Sequence, residues 1–172
     1  MTRRLLIVAA VGSALLAIGL WPRRPASLGP CPDGAQLTGA PLGTGTQEWC
    51  ERVATDGRRL KDGPYTVLGA NGRRTLDGFY RNGVKEGRWV FWDANGRKRE
   101  EGEFRHDREH GLWTRWSTSG QRVEAGEYQG GVREGRWTFW YENGRKAREG
   151  EYRDGSEVGG WQRWTVKGEP CE

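Results

Sequence analysis

The stretch GRWVFWDANGR, from Gly87 to Arg97, returns 48 residues later as GRWTFWYENGR, from Gly135 to Arg145. Each copy places two tryptophans and a phenylalanine within four residues and then closes with Asn-Gly. Aromatic residues favour strands, and Asn-Gly favours a turn between two strands because both residues tolerate positive φ. The stretch therefore predicts a strand that ends at a hairpin turn, and its return predicts a repeat.

Both copies belong to a longer series with a period of 24 residues. A first aromatic column contains Tyr65, Trp89, Trp113, Trp137 and Trp161. A second column, three residues further on, contains Leu68, Trp92, Trp116, Trp140 and Trp164. Glycines stand two residues before the first column, at Gly63, Gly87, Gly111, Gly135 and Gly159. A second block ends in Gly-x-Tyr or Gly-x-Phe, at Gly78, Gly102, Gly126 and Gly150. Several positions keep one register, which predicts a stack of similar units.

Each unit reads as an aromatic-rich first strand and a polar second strand, separated by turns. We therefore predict an all-β fold, an antiparallel meander of about five stacked 24-residue β-hairpin repeats, preceded by one N-terminal apolar helix. The predicted repeat domain covers residues 56–172, with units 56–80, 81–104, 105–128, 129–152 and 153–172.

The two aromatic columns are predicted to have different roles. Trp89 and Trp92 are three residues apart, so a regular strand points them to opposite faces of the sheet. We assign the first column to the buried side as a structural column, with the glycine two residues earlier leaving room for each ring. The second column, Trp92, Trp116, Trp140 and Trp164, is the candidate binding surface. It either completes the packing or forms an exposed aromatic ridge that faces a partner, and the sequence leaves both readings open.

The first 24 residues combine a basic start, Arg3-Arg4, with an uncharged stretch from Leu5 to Trp21. That stretch is at the short limit for a membrane-spanning helix. Ala17 and Gly19 also place small residues at positions −3 and −1 of a possible signal cleavage site after Gly19. Residues 1–24 are therefore predicted to be a signal peptide or a signal anchor, with the anchor slightly favoured. The rest of the chain is predicted to be exported to the bacterial periplasm or cell envelope, anchored to the membrane by this segment or secreted after cleavage.

Residues 25–55 are predicted to be a linker or an irregular lead-in. The segment is rich in Pro, Gly, Ala and Thr, and its apolar residues show almost no periodicity. In an exported protein, Cys31 and Cys50 are expected to form a disulfide. Cys171 is then the unpaired third cysteine, unless it takes one of the other two as its partner.

The net charge of +5 does not predict a nucleic-acid partner. Four of the 28 basic residues flank the N-terminal apolar run, which leaves 24 basic residues against 23 acidic ones. Nucleic-acid binders cluster basic residues on one face, whereas both signs are interspersed here. We therefore predict no nucleic-acid partner.

No motif in the chain predicts an enzyme. Residues His106 to His110 read His-Asp-Arg-Glu-His and match an inverted zinc-protease motif in letters only. That chemistry needs a helix, and these five residues align with a turn of the repeat. The chain has no Cys-x-x-Cys pair and no Walker-type phosphate loop. We therefore predict no catalytic residues, no bound metal and no cofactor.

The pattern Gly-x-Trp-x-x-Trp-x-x-Asn-Gly-x-Lys-x-x-x-Gly-x-Tyr resembles MORN-type repeats, and looks most like the variant form found in bacterial proteins. Residues 81–104 and 129–152 match it best, and the resemblance covers about residues 56–172. Residues 105–128 depart from it, since Ser119 replaces the asparagine and His106-Asp107 replaces the second turn pair. The resemblance implies a ribbon of hairpins and a non-enzymatic role, mostly in protein–protein or membrane-associated scaffolding. Some relatives are antitoxin-like, a role that the predicted export of this chain puts in doubt.

Two functions compete at this point. The first is an envelope-associated repeat scaffold that binds an unknown protein partner, because a solenoid offers a broad surface and open edges. The second is a cell-envelope glycan or quaternary-amine binder that uses the repeated tryptophans, since aromatic rings can cage such cations. Choline-binding wall repeats also space tryptophans and glycines, but they are shorter and carry less charge. An enzyme ranks below both.

Overall fold

The computed structural model describes Leu28, residues 30–42 and residues 45–171, so the helix predicted over residues 1–24 lies outside the described part. There, eleven strands form one antiparallel sheet in which each strand pairs with its neighbours in sequence. The strands are β1 (Gln36–Leu42), β2 (Gly45–Val53), β3 (Arg59–Leu68), β4 (Arg74–Arg81), β5 (Val84–Trp92), β6 (Lys98–Arg105), β7 (Arg108–Trp116), β8 (Arg122–Gln129), β9 (Val132–Trp140), β10 (Lys146–Arg153) and β11 (Ser156–Arg163). The predicted antiparallel meander is confirmed for these residues.

The wide turns of the meander follow each aromatic-rich strand. In the turn after β5, the Gly96 N–H donates to the Asp93 carbonyl at 3.0 Å, and the Asp93 N–H donates to the Arg97 carbonyl at 2.8 Å. Gly96 has a φ of +83°, whereas Asn95 is not at positive φ. The hairpin turn predicted at Asn95-Gly96 is therefore confirmed, and within this pair only the glycine adopts positive φ. The loop is a type I turn followed by a left-handed glycine.

The tight turns, which join each second strand to the next unit, do place two residues at positive φ. Three of them contain glycine, at Asn82-Gly83, Gly130-Gly131 and Asp154-Gly155. The fourth, His106-Asp107, has φ values of 52° and 64° without any glycine, a conformation that costs a non-glycine residue on the order of 1 kcal/mol. The Lys85 N–H donates to Asp107 Oδ1 at 2.7 Å, so the turn is tied to the preceding unit.

The sheet begins earlier than the sequence predicts. Residues 36–42 and 45–53, expected to belong to an irregular lead-in, form the hairpin of β1 and β2. β2 continues the meander, because Trp49 lies opposite Tyr65 of β3. The lead-in carries no copy of the 24-residue pattern, so periodicity could not reveal strands whose order comes from pairing with the first repeat.

The predicted disulfide joins Cys31 to Cys50 and fastens the segment before β1 to β2. Cys50 is fully buried, and a β-carbon at Gly63 of β3 would press against its sulfur. Cys171 is free and exposed.

We expect the Cys31→Ser/Cys50→Ser double variant to lose about 2 kcal/mol of stability, because the cross-link restricts the unfolded chain. Urea unfolding with and without reductant measures the loss. Reductant should lower the midpoint of the wild type and leave the double variant unchanged. Cys171→Ser is the matched control, and an equal loss in that variant would contradict the prediction.

Candidate functional site

One face of the sheet, here called the aromatic face, carries a continuous row of rings. Its members are Tyr65, Tyr80, Trp89, Phe104, Trp113, Tyr128, Trp137, Tyr152 and Trp161. Successive centroids are 5.1–6.0 Å apart and the rings meet edge to face. Edge-to-face aromatic pairs stabilise a fold by more than the burial of their apolar area alone. The row is therefore packing rather than an open site.

Burial of the first column depends on position in the row. Trp89, Trp113 and Trp137 are only 1%, 5% and 1% exposed. Tyr65 and Trp161, at the two ends, are half-buried. The sequence reasoning assigned no packing role to the rings between them, Tyr80, Phe104, Tyr128 and Tyr152. Those residues keep the same 24-residue spacing, so the periodicity could have revealed them.

The glycines that make room for the tryptophans are not the predicted ones. A β-carbon on Gly87 would have open space around it, and Gly87 instead adopts a φ of +67°. A β-carbon on Gly102 would lie closer than 3.0 Å to the ring atoms of Trp113, a distance that real β-carbons essentially never show. The same overlap occurs between Gly78 and Trp89, Gly126 and Trp137, and Gly150 and Trp161. Each ring therefore lies over a glycine of the preceding strand.

Cations of the protein lie over several of these rings. The Lys61 ammonium is 5.1 Å, 4.4 Å and 5.2 Å from the ring centroids of Trp49, Tyr65 and Tyr80. Burial lowers the pKa of Lys61. The Arg133 guanidinium lies 4.2 Å from the Trp137 centroid. The aromatic face thus already holds cations of its own, each worth on the order of 1 kcal/mol.

The second column of tryptophans lies on the opposite face. Directly opposite residues of paired strands share a face, and the pairs are Trp92 with Lys98, Trp116 with Arg122 and Trp140 with Lys146. Each cation also lies over the tryptophan of the next unit, at 5.3 Å, 5.3 Å and 5.7 Å from the ring centroid. We call the row Trp92, Lys98, Trp116, Arg122, Trp140, Lys146 and Trp164 the tryptophan–cation ridge. All four tryptophans are half-buried.

Carboxylates neutralise two of the three ridge cations. Lys98 pairs with Glu101, which also pairs with Arg88. Lys146 pairs with Glu149 at 2.9 Å, and Arg136 pairs with the same carboxylate at 2.5 Å. The hydrogen bond from Lys146, together with those from Thr138 and Arg136, outweighs burial and lowers the pKa of Glu149 from 4.5 to about 2.

The third ridge cation, Arg122, has a different setting. Ala125 and Leu112 occupy the repeat positions that Glu149 and Arg136 hold in the next unit. Arg122 is exposed and makes no ion pair with any described residue, and Leu112 is 63% exposed. Leu112, Trp116, Arg122, Ala125 and Trp140 form what we call the Arg122 patch. It combines a guanidinium that is unpaired among the described residues with aromatic and aliphatic surface. The patch was not predicted from the sequence, because it depends on residues that differ between units.

The low pKa of Glu149 predicts acid-sensitive stability. Because the folded-state pKa lies below its ordinary value, the stabilisation is complete above about pH 4.5 and is lost as the pH falls toward 2. We expect Glu149→Gln to be less stable than the wild type at pH 7 and to lose less stability between pH 5 and pH 2. Urea midpoints across this range measure it. Glu142→Gln, at an exposed turn position, should follow the wild type, and parallel curves for all three would contradict the assignment.

The described residues do not bring the histidine motif together as a metal site. His106 lies in a tight turn and His110 in β7, with no helix to present them to one metal ion. No group of three His, Cys, Asp or Glu residues in the described ranges could hold a metal ion. A cavity of about 370 Å³ lies beside β11, lined by Arg136, Glu149, Val158, Gly159, Gly160 and Gln162 among others. The search for a membrane-spanning helix, confined to the described residues, finds none.

A family model described as the MORN repeat variant matches residues 133–154. The match covers most of β9, all of β10 and the start of the tight turn that follows. No curated protein matches the chain. Trp89, Trp113 and Trp137 each lie opposite a glycine of the next strand, so the units before the matched one are built in the same way. Residues 133–154 therefore match the MORN repeat variant, and this match is consistent with the resemblance of the other units to MORN-type repeats.

Proposed function

We propose that the protein is a non-enzymatic, envelope-associated repeat scaffold that binds another protein through the Arg122 patch. The observation that carries this proposal is the setting of Arg122, a cation without an ion pair to any described residue. It lies between two half-buried tryptophans, and an exposed leucine lies further along the same face. Arginine and tryptophan are enriched at the energetic centres of protein interfaces. The MORN repeat match supports a repeat-based interaction module, a class that is generally non-enzymatic.

The chemistry of the patch favours a partner that presents a carboxylate next to an apolar side chain. Arg122 can give a carboxylate two parallel hydrogen bonds, and the indole of Trp140 limits the directions in which the guanidinium points. Leu112 supplies apolar surface at the centre of the sheet, whereas the equivalent Arg136 is held by Glu149. The unit with the exchanged residues is therefore the one equipped to bind.

Envelope association is supported by the disulfide and by the N-terminal sequence. The Cys31–Cys50 bond points to an oxidising, exported environment. The apolar stretch from Leu5 to Trp21 lies outside the described residues, and its role as a signal or an anchor is part of the proposal.

A photo-crosslinking experiment tests the proposed surface. A photoreactive residue is placed at position 112 in one variant and at position 88, the exposed equivalent in the preceding unit, in another. Each is exposed to detergent-solubilised envelope proteins of the source cell. We expect a discrete product from position 112 that Arg122→Glu abolishes and Lys98→Ala retains. Products that form equally at both positions, or that survive Arg122→Glu, would overturn the proposal.

The glycan or quaternary-amine alternative depends on the same ridge and is tested by titration. Its supporting observation is that Trp92, Trp116, Trp140 and Trp164 remain half-exposed. Lys98, Arg122 and Lys146 already lie over three of these rings, so a cationic ligand has to displace a cation of the protein. We expect choline and envelope glycans to leave tryptophan fluorescence unchanged. Saturable quenching that Trp140→Ala removes would favour the alternative instead.

A further inference from the structure

Among the described residues β11 is the last strand of the sheet, and most of its outer edge is unpaired. Within the described residues, no strand pairs with the outer side of β11 along Ser156–Gln162. Trp161 at this edge has fewer edge-on aromatic contacts than the tryptophans inside the sheet. Trp113 is flanked edge-on by Phe104 and Tyr128, and Trp137 by Tyr128 and Tyr152. Among the described residues, only Tyr152 packs edge-on against Trp161, which is half-buried.

The strand pairs inside the sheet define what the missing neighbour would be. At four equivalent interfaces, β3–β4, β5–β6, β7–β8 and β9–β10, an aromatic residue lies opposite the glycine that precedes the first column by two residues. These pairs are Gly63 with Tyr80, Gly87 with Phe104, Gly111 with Tyr128 and Gly135 with Tyr152. Gly159 holds this position in β11 and has no such partner among the residues that the structure describes.

We propose that the outer edge of β11 binds an extended segment of a partner protein in antiparallel orientation, with a tyrosine or phenylalanine opposite Gly159 and against Trp161. Backbone hydrogen bonds along the edge would supply affinity, and the ring would supply register and specificity. The edge lies apart from the Arg122 patch, so this proposal stands or falls independently of the proposed function.

A second folded copy of the chain fits this edge poorly. The strands that carry Tyr80, Phe104, Tyr128 and Tyr152 already pair on both sides in their own sheet. β1, the other edge strand, contains no aromatic residue. Two β11 strands paired about Gly160 would place Glu157 of one opposite Arg163 of the other. The Cys171 N–H already donates to the Arg163 carbonyl at 2.8 Å and occupies that end of the edge.

The test uses a labelled peptide, EGEYRDG, which copies residues 149–155 and has blocked termini. The control peptide, EGESRDG, differs only by serine in place of tyrosine. Fluorescence anisotropy with the full chain should show saturable binding of the tyrosine peptide, and binding of the serine peptide weaker by about 10-fold. Trp161→Ala should abolish the difference between the peptides, whereas Arg122→Glu should leave it unchanged. No binding, or equal binding of both peptides to the wild type, would overturn the proposal.

Two further measurements keep the test decisive. If circular dichroism shows that Trp161→Ala is unfolded, hydrogen exchange on the wild type replaces that variant. The tyrosine peptide should then protect the amides of β11, and the serine peptide should protect them less. Equal protection by both peptides, or protection elsewhere only, would overturn the proposal. Sedimentation of the chain without peptide checks for self-association, and dimers that Trp161→Ala dissociates would assign the edge to a second copy and overturn it as well.

Discussion

Trp137→Ala is expected to lower the free energy of unfolding by about 3–5 kcal/mol, the largest effect predicted for a single substitution in the sheet. Trp137 is 1% exposed, and Tyr128 and Tyr152 pack edge-on against its two sides at centroid distances of 5.1 Å and 5.9 Å. Its indole N–H donates to the Glu127 carbonyl at 3.1 Å. Truncation therefore removes the ring from the middle of the aromatic row and leaves a cavity that paired strands on both sides hold open.

Urea unfolding followed by circular dichroism measures this loss, and the same strand offers a matched control. Trp140 lies on the opposite face and is half-buried, so Trp140→Ala removes an equal number of atoms from a less buried position. We expect it to cost less than half as much as Trp137→Ala. Equal costs would mean that the two faces contribute equally to stability and would refute the assignment of the aromatic face as the core.

Gly126→Ala is expected to cost about 3 kcal/mol, at the upper end of the range for overpacking. The added methyl group would overlap the Trp137 ring, and backbone strands flank that ring, so little can move aside. Gly160→Ala is the control, because a β-carbon there has open space and the glycine is not held at positive φ. We expect that control to change stability by less than about 0.5 kcal/mol.

A double variant decides whether Gly126 acts through Trp137. When Leu replaces Trp137, much of the overlapping ring is gone, so adding Gly126→Ala should cost about 1 kcal/mol or less beyond Trp137→Leu alone. The four urea midpoints form a double-mutant cycle whose coupling term reports the contact. Additive losses would show that Gly126 is required for some other reason.

The sequence predicted the part of the fold that repeats. Positions such as Trp89 and Trp113 recur at one spacing, and a meander of hairpins is the structure that places such positions at equivalent points. The predicted role of Gly87 was wrong because spacing along one strand cannot show that Trp89 lies over Gly78 of the preceding strand. A contact across strands depends on the bulge next to Gly87, which shifts the register between β4 and β5.

What differs between units was harder to predict. Leu112 and Ala125 interrupt the charge pattern, and in the sequence they look like ordinary variation. Their significance depends on the third dimension, because only the paired strands show that Arg122 stands without a carboxylate beside two tryptophans. The hairpin of β1 and β2 was not predicted for a different reason, because residues 36–53 do not carry the 24-residue repeat pattern.

The strictly sequential order of the strands has a kinetic consequence. Every strand from β2 to β10 pairs only with the strands before and after it in the chain, so no large loop has to close before native contacts form. All-β proteins usually fold slowly because their pairings are distant in sequence. This sheet can nucleate at any hairpin and grow outward one strand at a time, as expected of a one-dimensional array. Folding should therefore be fast for an all-β protein, and it should not depend on one particular hairpin forming first.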